Sequence, residues 1–329
     1  MEGSTASGIN NASASWPDVY VVMLTYKHAA FIDQAIQGVL MQEYEGKLTL
    51  LIADDASPDS TPGRVAKLIE GNTSKHRIEY HRHTKNIGLE ANFVWATLHA
   101  SGKYIAFCEG DDYWTSPSKI SQQVDYLERH PYSAGCFHHA QLVDESGMQL
   151  EPIYNEQYIG SNTKFNQEQA FTELASSYAS CSLLFRQEVL NNPPKWYLTH
   201  ACDEVLDLLI TQRGSLDKIP GNMSAYRFHL GGMWSGASLV QRDLFVFQRA
   251  LAFYQDKNLR NRFSSYLNQR IKGLGESLAL KPEVSWLQRW ICFCKAVYRL
   301  NFNRLGSYLF VLRFVLNPIF FLFLNSKKQ

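Results

Sequence analysis

The sequence lacks the patterns that mark several classes of protein. Its 6 cysteines form no CxxC pair and no spacing typical of a disulfide framework. Most of them lie in apolar runs, so we expect reduced, buried thiols in a cytosolic protein. The first residues contain no apolar segment of the kind found in secretory signal peptides, and we expect 1–16 to be a flexible leader.

Acidic residues are absent from the end of the chain, where none follows Glu283. The segment 286–329 instead combines aromatic side chains with arginines and lysines. Because this segment is also apolar, it favours an anionic membrane surface over nucleic acid. We therefore expect 239–329 to be a helical, basic and amphipathic extension, bound peripherally to the inner, cytosolic face of the membrane.

Two other interpretations of this tail stay open. Leu305–Leu324 is about long enough to cross a bilayer, although Arg313 and the Asn317-Pro318 break make an isolated span costly. Alternatively, its helices pack on the rest of the chain or on a second subunit, which would make the protein a homo-oligomer.

Apolar runs alternate with helical patterns through the first half of the chain, whose hydrophobic content of 45% and charged content of 19% are those of a folded protein. The runs are continuous and rich in β-branched residues, as in strands covered on both faces. This alternation predicts an α/β fold, with a mostly parallel sheet flanked by helices. The predicted strands are 19–24, 48–53, 77–81 and 104–108, followed by less regular strands near 136–143 and 180–185.

Acidic side chains gather directly behind the fourth predicted strand. Glu109, Asp111 and Asp112 repel one another there. A helix should follow, with Ser116 as its cap and Pro117 in its first turn, so the acids occupy the carboxyl end of a strand, where open α/β sheets bind ligands. Oxygen ligands suit Mg²⁺ or Mn²⁺ together with a diphosphate. A solvated acidic loop is the alternative interpretation.

A second polar loop follows the strand predicted at 48–53. Its Asp54 and Asp55 offer acceptors for the N–H of a nucleobase and for ribose hydroxyls. Thr25 and Tyr26, behind the first strand, could supply a hydroxyl and a stacking ring. Each feature is weak alone, but together with the acidic loop they predict a pocket for a nucleoside diphosphate.

Five segments resemble the family-2 glycosyltransferases with the Rossmann-like GT-A fold, in their order and near their spacing. The resemblance covers about residues 19–236 and implies a catalytic domain over 17–238. Its nucleotide-binding half would be about 17–115 and its acceptor half about 116–238. The segments are VVMLTY (21–26), IADDASPDST (52–61), HTKNIGLEANF (83–93), YIAFCEGDDYW (104–114) and YRFHLGGMWSG (226–236).

The resemblance implies roles for the nucleotide-binding half. Thr25 and Tyr26 would contact the base, Asp54 and Asp55 would read the base and its ribose, and Asn86 and Gly88 would support the nucleotide loop.

The resemblance also assigns the acidic loop. Glu109-Gly110-Asp111 occupies the DxD position of the family, with Glu where Asp is more frequent, and Asp112, which follows it, would help to bind the donor. Asp111 would contact the metal directly, and Glu109 would reach the metal, a metal-bound water or the ribose.

The segment THACDEVLDLL (199–209) resembles the acceptor side of the family. Asp203 aligns with the carboxylate that removes the proton of the acceptor hydroxyl. Glu204 is the alternative base, and Asp207 a further competitor. Glu204 could instead complement the helix dipole, and Asp203 could be an N-cap.

The last segment implies a lid over the site. His229 would complete the metal shell or touch the diphosphate, and Trp234 would close over donor or acceptor. Gly231 and Gly232 would let this loop move or approach closely. A structural role is the alternative for His229.

Together the resemblance implies a metal-dependent, inverting glycosyltransferase that uses Mn²⁺ or Mg²⁺. Its donor would be a nucleotide sugar, most often a UDP-sugar, and its acceptor a hydroxyl of a glycan or lipid-linked saccharide in cell-surface polysaccharide biosynthesis. Two alternatives are a non-catalytic nucleotide-sugar-binding protein and a sugar-phosphate nucleotidyltransferase, which would release pyrophosphate.

Overall fold

A computed structural model describes residues 16–151, 162–174, 178–232 and 236–280 of the chain. The chain divides into two compact units. The first unit contains Met1–Pro193 and Ala201–Arg227, and the second contains Pro194–His200 and Phe228–Gln329. The division after Arg227 lies eleven residues before the boundary expected at 238.

A single mixed sheet forms the centre of the first unit. Its strands are β1 (Val19–Thr25), β2 (Leu48–Asp54), β3 (Arg77–Arg82), β4 (Tyr104–Phe107), β5 (Tyr113–Trp114), β6 (Ser133–Val143), β7 (Lys164–Phe165), β8 (Leu184–Arg186) and β9 (Ser215–Arg227). Within the described residues the strand order is β3-β2-β1-β4-β8-β6-β9-β5, and β7 also pairs with β9.

Helices flank this sheet in the first unit and also occur in the second unit. They are α1 (Ile32–Leu40), α2 (Thr61–Glu70), α3 (Leu89–His99), α4 (Lys119–Arg129), α5 (Lys195–His200), α6 (Asp203–Arg213), α7 (Leu239–Gln255) and α8 (Lys257–Leu280). Of these, α5, α7 and α8 belong to the second unit. Short helical turns lie at Gln167–Gln169, Ala170–Leu174, Ser180–Ser182 and Gln187–Leu190.

The first four strands confirm the α/β prediction. β1 pairs in parallel with β2 and β4, and β2 pairs in parallel with β3. Every residue of β1 and β2 is buried, as the continuous apolar runs predict for strands covered on both faces.

The other half of the sheet is mixed, so the expectation of a mostly parallel sheet is right only for β1 to β4. β8 runs antiparallel to both β4 and β6, and β9 is antiparallel to β5 and β7 but parallel to β6. A 3₁₀ turn at Ser180–Ser182 precedes the short β8, and the Ser182 hydroxyl donates to the Ala179 carbonyl there (2.7 Å). This turn shortens the strand predicted at 180–185.

One helix starts later than predicted. α4 begins at Lys119 rather than at Pro117, because the carbonyl of Pro117 accepts a hydrogen bond from the backbone N–H of Glu43 (2.8 Å). The two residues after Ser116 therefore form a turn that ties the start of α4 to the end of α1.

The core under the predicted loops is densely apolar. Val21, Met23, Ile36, Ile52 and Val124, from β1, β2, α1 and α4, are all fully buried. Each such side chain contributes roughly 1.5–3 kcal/mol by leaving water. The loops at the strand ends therefore rest on a rigid base. The four cysteines in the described residues are buried and form no disulfide bond, as expected.

The described part of the second unit is helical from Leu239 to Gln255 and from Lys257 to Leu280. Within it, the indole N–H of Trp196 donates to Oδ2 of Asp256 (3.1 Å), and the ring packs edge-on against Phe253. The predicted membrane-associating segment 286–329 lies outside the described residues. Among those described, no helix has the length and apolarity to cross a bilayer.

Candidate functional site

Three parallel strands end at the same edge of the sheet. Thr25, the last residue of β1, lies opposite Asp54, the last residue of β2. Val22 of β1 lies opposite Phe107, the last residue of β4. The loops behind these strands therefore meet, as the alternating pattern predicts.

The acidic turn, residues 109–112, is fastened to the end of β1. The backbone N–H of Gly110 donates to the carbonyl of Leu24 (2.9 Å). A Cβ atom at Gly110 would lie 2.7 Å from both Oγ1 of Thr25 and Nδ1 of His28. Only glycine leaves room for this close approach, so the middle position of the turn is sterically fixed.

Asp111 faces a histidine that the sequence analysis does not predict. Its Oδ2 lies 3.5 Å from Nε2 of His28. The side chain of Asp111 is 18% exposed, and that of His28 is 15% exposed. Both groups can therefore meet a ligand at this edge. The only signal for His28 in the sequence is its place two residues behind Tyr26.

Glu109 combines a raised pKa with an enclosed carboxylate oxygen. Burial is the main cause and outweighs the hydrogen bond from Ser180; together with the negative charges of Asp111 and Asp203 it raises the pKa of Glu109 to about 7. Its Oε2 is enclosed and has no hydrogen-bond partner among the described residues. A buried acceptor in this state is a position where a cation or a donor would be stabilised.

Asp112 points into the protein. It is 2% exposed, and its Oδ1 accepts a hydrogen bond from the backbone N–H of Arg227 (2.9 Å). Burial, followed by the charges of Asp111 and Glu109, raises its pKa well above the usual range. The structure therefore places this predicted donor-binding residue where it joins the turn to β9.

Asp54 organises the loop behind β2. Its Oδ1 accepts from the backbone N–H of Ser57 (2.7 Å), and its Oδ2 accepts from the hydroxyl of Tyr80 (2.7 Å). The side chain is fully buried, with Nε of Arg82 3.8 Å from Oδ2. Both carboxylate oxygens of Asp54 therefore hold in place the loop that is predicted to bind the nucleobase.

Asp55 holds the loop before α3. Its two oxygens accept from the backbone N–H groups of Ile87 (2.7 Å) and Gly88 (2.9 Å). Asn86 adds its own bond, from the Gly88 N–H to its Oδ1 (3.1 Å). Gly88 has a φ of 86°, which glycine adopts without strain. The structure thus brings Asp55, predicted to read the base and its ribose, against Asn86 and Gly88, predicted to support the loop, and both Asp55 oxygens accept from the backbone of that loop.

The loop behind β1 presents Tyr26 and buries Thr25. Tyr26 is 38% exposed, whereas Thr25 is 2% exposed beneath Gly110. Lys27 adopts a φ of 62°, and its N–H donates to Oγ of Ser57 (3.1 Å). The exposed ring is therefore the group at this strand end that can stack on a base.

The candidate base stands at the start of α6. Asp203 is half-buried, and its Oδ1 accepts from the backbone N–H of Glu204 (2.8 Å). Its charge contributes to the raised pKa of Glu109. The predicted catalytic base and the acidic turn are therefore close enough for their charges to interact.

The competing acids on α6 are buried. Glu204 is 4% exposed and Asp207 2% exposed. Asp207 accepts a hydrogen bond from the hydroxyl of Tyr178, and burial raises its pKa well above the usual range. Asp203 is therefore the most accessible of the three.

The predicted lid lies in the second unit. His229 is 6% exposed, and its carbonyl accepts from the N–H of Gly232 (3.1 Å). Trp234 lies outside the described residues, so its predicted role stays a prediction, as does that of His229.

No three His, Cys, Asp or Glu side chains in the described chain form a cluster suited to a metal ion. The acidic turn offers the carboxylates of Asp111 and Glu109. Magnesium commonly binds one or two carboxylates and takes further oxygens from a substrate phosphate. The residues therefore fit a cation shared with a diphosphate.

Comparison with known proteins identifies the family. The family described as Glycosyl transferase family 2 matches residues 20–192. An uncharacterized protein of Mycobacterium tuberculosis is 30% identical over 242 residues, which are 68% of this chain and 63% of that protein. The aligned chain thus spans less than two thirds of the length of this relative.

Two solved structures share the fold. The Staphylococcus aureus TarS fragment 1-349 in complex with UDP-GlcNAc superposes with a TM-score of 0.60 at 15% identity, covering 86% of this chain and 81% of that one. A Pyrobaculum calidifontis mannosyltransferase in complex with GDP-Man and Mn²⁺ gives a TM-score of 0.57 at 14% identity, covering 91% of this chain and 79% of that one.

Proposed function

Because this chain belongs to glycosyl transferase family 2, we propose that it transfers a sugar from a nucleoside-diphosphate sugar to a hydroxyl group of an acceptor. One observation carries the proposal: Asp111 and Glu109 lie at the edge where β1, β2 and β4 end, and Oε2 of Glu109 is enclosed with no hydrogen-bond partner among the described residues. A cation held there would bind the diphosphate of the donor.

The donor would lie along the edge formed by β1, β2 and β4. Tyr26 would stack on the base, and the loops that Asp54 and Asp55 brace would shape the pocket for base and ribose. The diphosphate would lie at the acidic turn. The similar folds carry UDP-GlcNAc and GDP-Man, so UDP- and GDP-sugars are the donors to test first.

Mn²⁺ or Mg²⁺ would be held by Asp111 and Glu109, with diphosphate oxygens completing its shell. The enclosed Oε2 of Glu109, which has no hydrogen-bond partner among the described residues, supports this assignment. Such a cation supplies charge that stabilises the departing diphosphate. His229 remains the proposed third protein ligand.

Asp203 would act as the base. Its carboxylate would accept the proton of the acceptor hydroxyl while the hydroxyl oxygen bonds to the anomeric carbon. The bond between that carbon and the diphosphate oxygen would break on the opposite face. The configuration at the carbon is then inverted, and no covalent enzyme intermediate is needed.

The acceptor we propose is a glycan or a lipid-linked saccharide at the cytosolic membrane face, in cell-surface polysaccharide biosynthesis. The basic, aromatic segment 286–329 supports this location. Self-association through the same segment would make a homo-oligomer.

A donor screen tests the proposal. UDP- and GDP-sugars with Mn²⁺ are incubated with lipid-linked acceptors, and release of nucleoside diphosphate is measured for the wild type, Asp111→Asn and Asp203→Asn. Both variants should lose turnover by about 10²–10⁴-fold. The matched control is Asp125→Asn, an exposed acid of α4 bonded to Arg129, which should retain turnover.

Two outcomes would contradict the proposal. Release of pyrophosphate would identify a nucleotidyltransferase. Tight binding of a nucleotide sugar without turnover across the acceptor panel would identify a binding protein.

A further inference from the structure

Arg227, at the end of β9, is an arginine whose guanidinium is almost entirely inside the protein. The residue is 3% exposed. Nε donates to the carbonyl of Asp111 (2.9 Å), and Nη1 donates to the carbonyls of Asp144 (3.1 Å) and Glu145 (2.9 Å). Nη2 donates to Oε1 of Gln34 (2.7 Å). Four of the five N–H donors of a guanidinium are thus engaged.

The same guanidinium is enclosed by two aromatic rings. It lies 4.7 Å from the ring centre of Phe31 and 5.3 Å from that of Tyr113. Cation–π contacts of this kind contribute about 0.5–2 kcal/mol. The backbone N–H of Arg227 also donates to Oδ1 of Asp112 (2.9 Å).

These contacts determine the position of the acidic turn. Its main chain is held at Gly110 by β1 and at Asp111 by the side chain of Arg227. The direction in which the Asp111 carboxylate points therefore depends on a side chain whose donors are mostly occupied by the protein itself.

We propose that Arg227 is a positioning residue of the donor site, which holds the acidic turn so that Asp111 and Glu109 meet the cation and the diphosphate together. This inference rests on the proposed function. Arg227 acts through the turn and does not itself touch the ligand.

Arg227→Lys is the direct test. A lysine keeps the charge, but its three donors cannot reproduce a planar fork that reaches four acceptors. The dissociation constants of Mn²⁺·UDP and Mn²⁺·GDP are measured by titration calorimetry, together with the Mn²⁺ concentration for half-saturation at fixed nucleotide. We expect binding of the nucleotide that the wild type prefers to weaken by roughly tenfold or more.

Arg186→Lys is the matched control. Arg186 donates from Nε to the Ser133 carbonyl (2.9 Å) and from Nη2 to the Leu127 carbonyl (2.6 Å). It lies opposite Tyr104, at the end of β4 remote from the acidic turn. Both substitutions should lower the melting temperature, but Arg186→Lys should leave nucleotide binding within about threefold of the wild type.

The outcomes separate the inference from the function on which it rests. If the wild type binds neither nucleotide, the proposed function fails and the inference falls with it. If the wild type binds and Arg227→Lys binds equally well, or if both lysine variants weaken binding equally, the inference alone is overturned. Should Arg227→Lys not fold, Gln34→Ala replaces it. Because Gln34 is exposed, this variant removes one acceptor with little other change, and unaltered binding would then overturn the inference.

Discussion

Oδ2 of Asp55 accepts a hydrogen bond of 2.9 Å from the backbone N–H of Gly88, across 33 residues of sequence. The other oxygen of Asp55 accepts from the next-door N–H of Ile87. One carboxylate therefore satisfies two backbone donors at the start of α3.

Asp55→Asn should destabilise the protein by about 1–3 kcal/mol, because the neutral amide can accept a hydrogen bond from only one of the two N–H groups. With its oxygen on Ile87, its NH₂ group would oppose the Gly88 N–H, which would keep only its longer bond to Asn86 (3.1 Å). Urea unfolding measures this loss. Asp125→Asn, on the exposed face of α4, is the control. A loss no larger than that of the control would show that the loop does not depend on the carboxylate.

Gly110→Ala should destabilise the protein by about 1–3 kcal/mol through overpacking, because the new Cβ would meet Oγ1 of Thr25 and Nδ1 of His28 at 2.7 Å. Thermal and urea unfolding check the expectation. Gly63→Ala is the matched control, because nothing lies within 4 Å of a Cβ atom added to this glycine of α2. Alanine should stabilise that site by about 0.5–1 kcal/mol. Equal effects at the two glycines would refute the steric account.

Lys119 gives a pH dependence with a defined sign. It is fully buried on α4, with Nζ 2.7 Å from Oε1 of Gln123 and 4.1 Å from the ring centre of Trp114. Burial lowers its pKa from 10.5 to about 8. The unfolded chain therefore binds more protons between these two values, so this residue makes stability rise with pH across that window.

The wild type should accordingly gain stability relative to Lys119→Met between about pH 7.5 and pH 9.5, because the methionine variant has no charge to lose there. Urea unfolding at both pH values gives the difference. Lys67→Met, at an exposed position of α2, is the control. Its free energy of unfolding should differ from that of the wild type by the same amount at both pH values. If Lys119→Met behaved like this control, Lys119 would titrate in the folded protein as it does in water.

The two adjacent acids of α6 should differ in their effects on turnover. Asp203→Asn should lower kcat by about 10²–10⁴-fold, the range for losing a general base, whereas Glu204→Gln should change kcat by less than tenfold, because Glu204 is 4% exposed. Steady-state kinetics on the donor found in the screen distinguish the two. The reverse order of effects would assign the base to Glu204.

The sequence predicts the parts of this site that follow from local patterns. Apolar runs place β1, β2 and β4, and the acids behind them fall at one edge because parallel neighbours end together. Arg227 could not be found in this way, since its side chain binds Gln34 across 193 residues. The sequence also does not show which of the acids face solvent, because this depends on how the folded chain buries each one. Asp112 and Glu204 turn inward, whereas Asp111 and Asp203 keep some access to solvent.

The position of β9 has a consequence for how the chain matures on the ribosome. This strand pairs with β5, β6 and β7, and its last residue, Arg227, fastens the acidic turn made more than a hundred residues earlier. The amino-terminal strands can assemble as they emerge, but the turn gains its final anchor only after residue 227 has left the exit tunnel. Nascent chains interrupted before that residue would therefore carry an acidic turn without its last anchor, recognisable to chaperones and proteases.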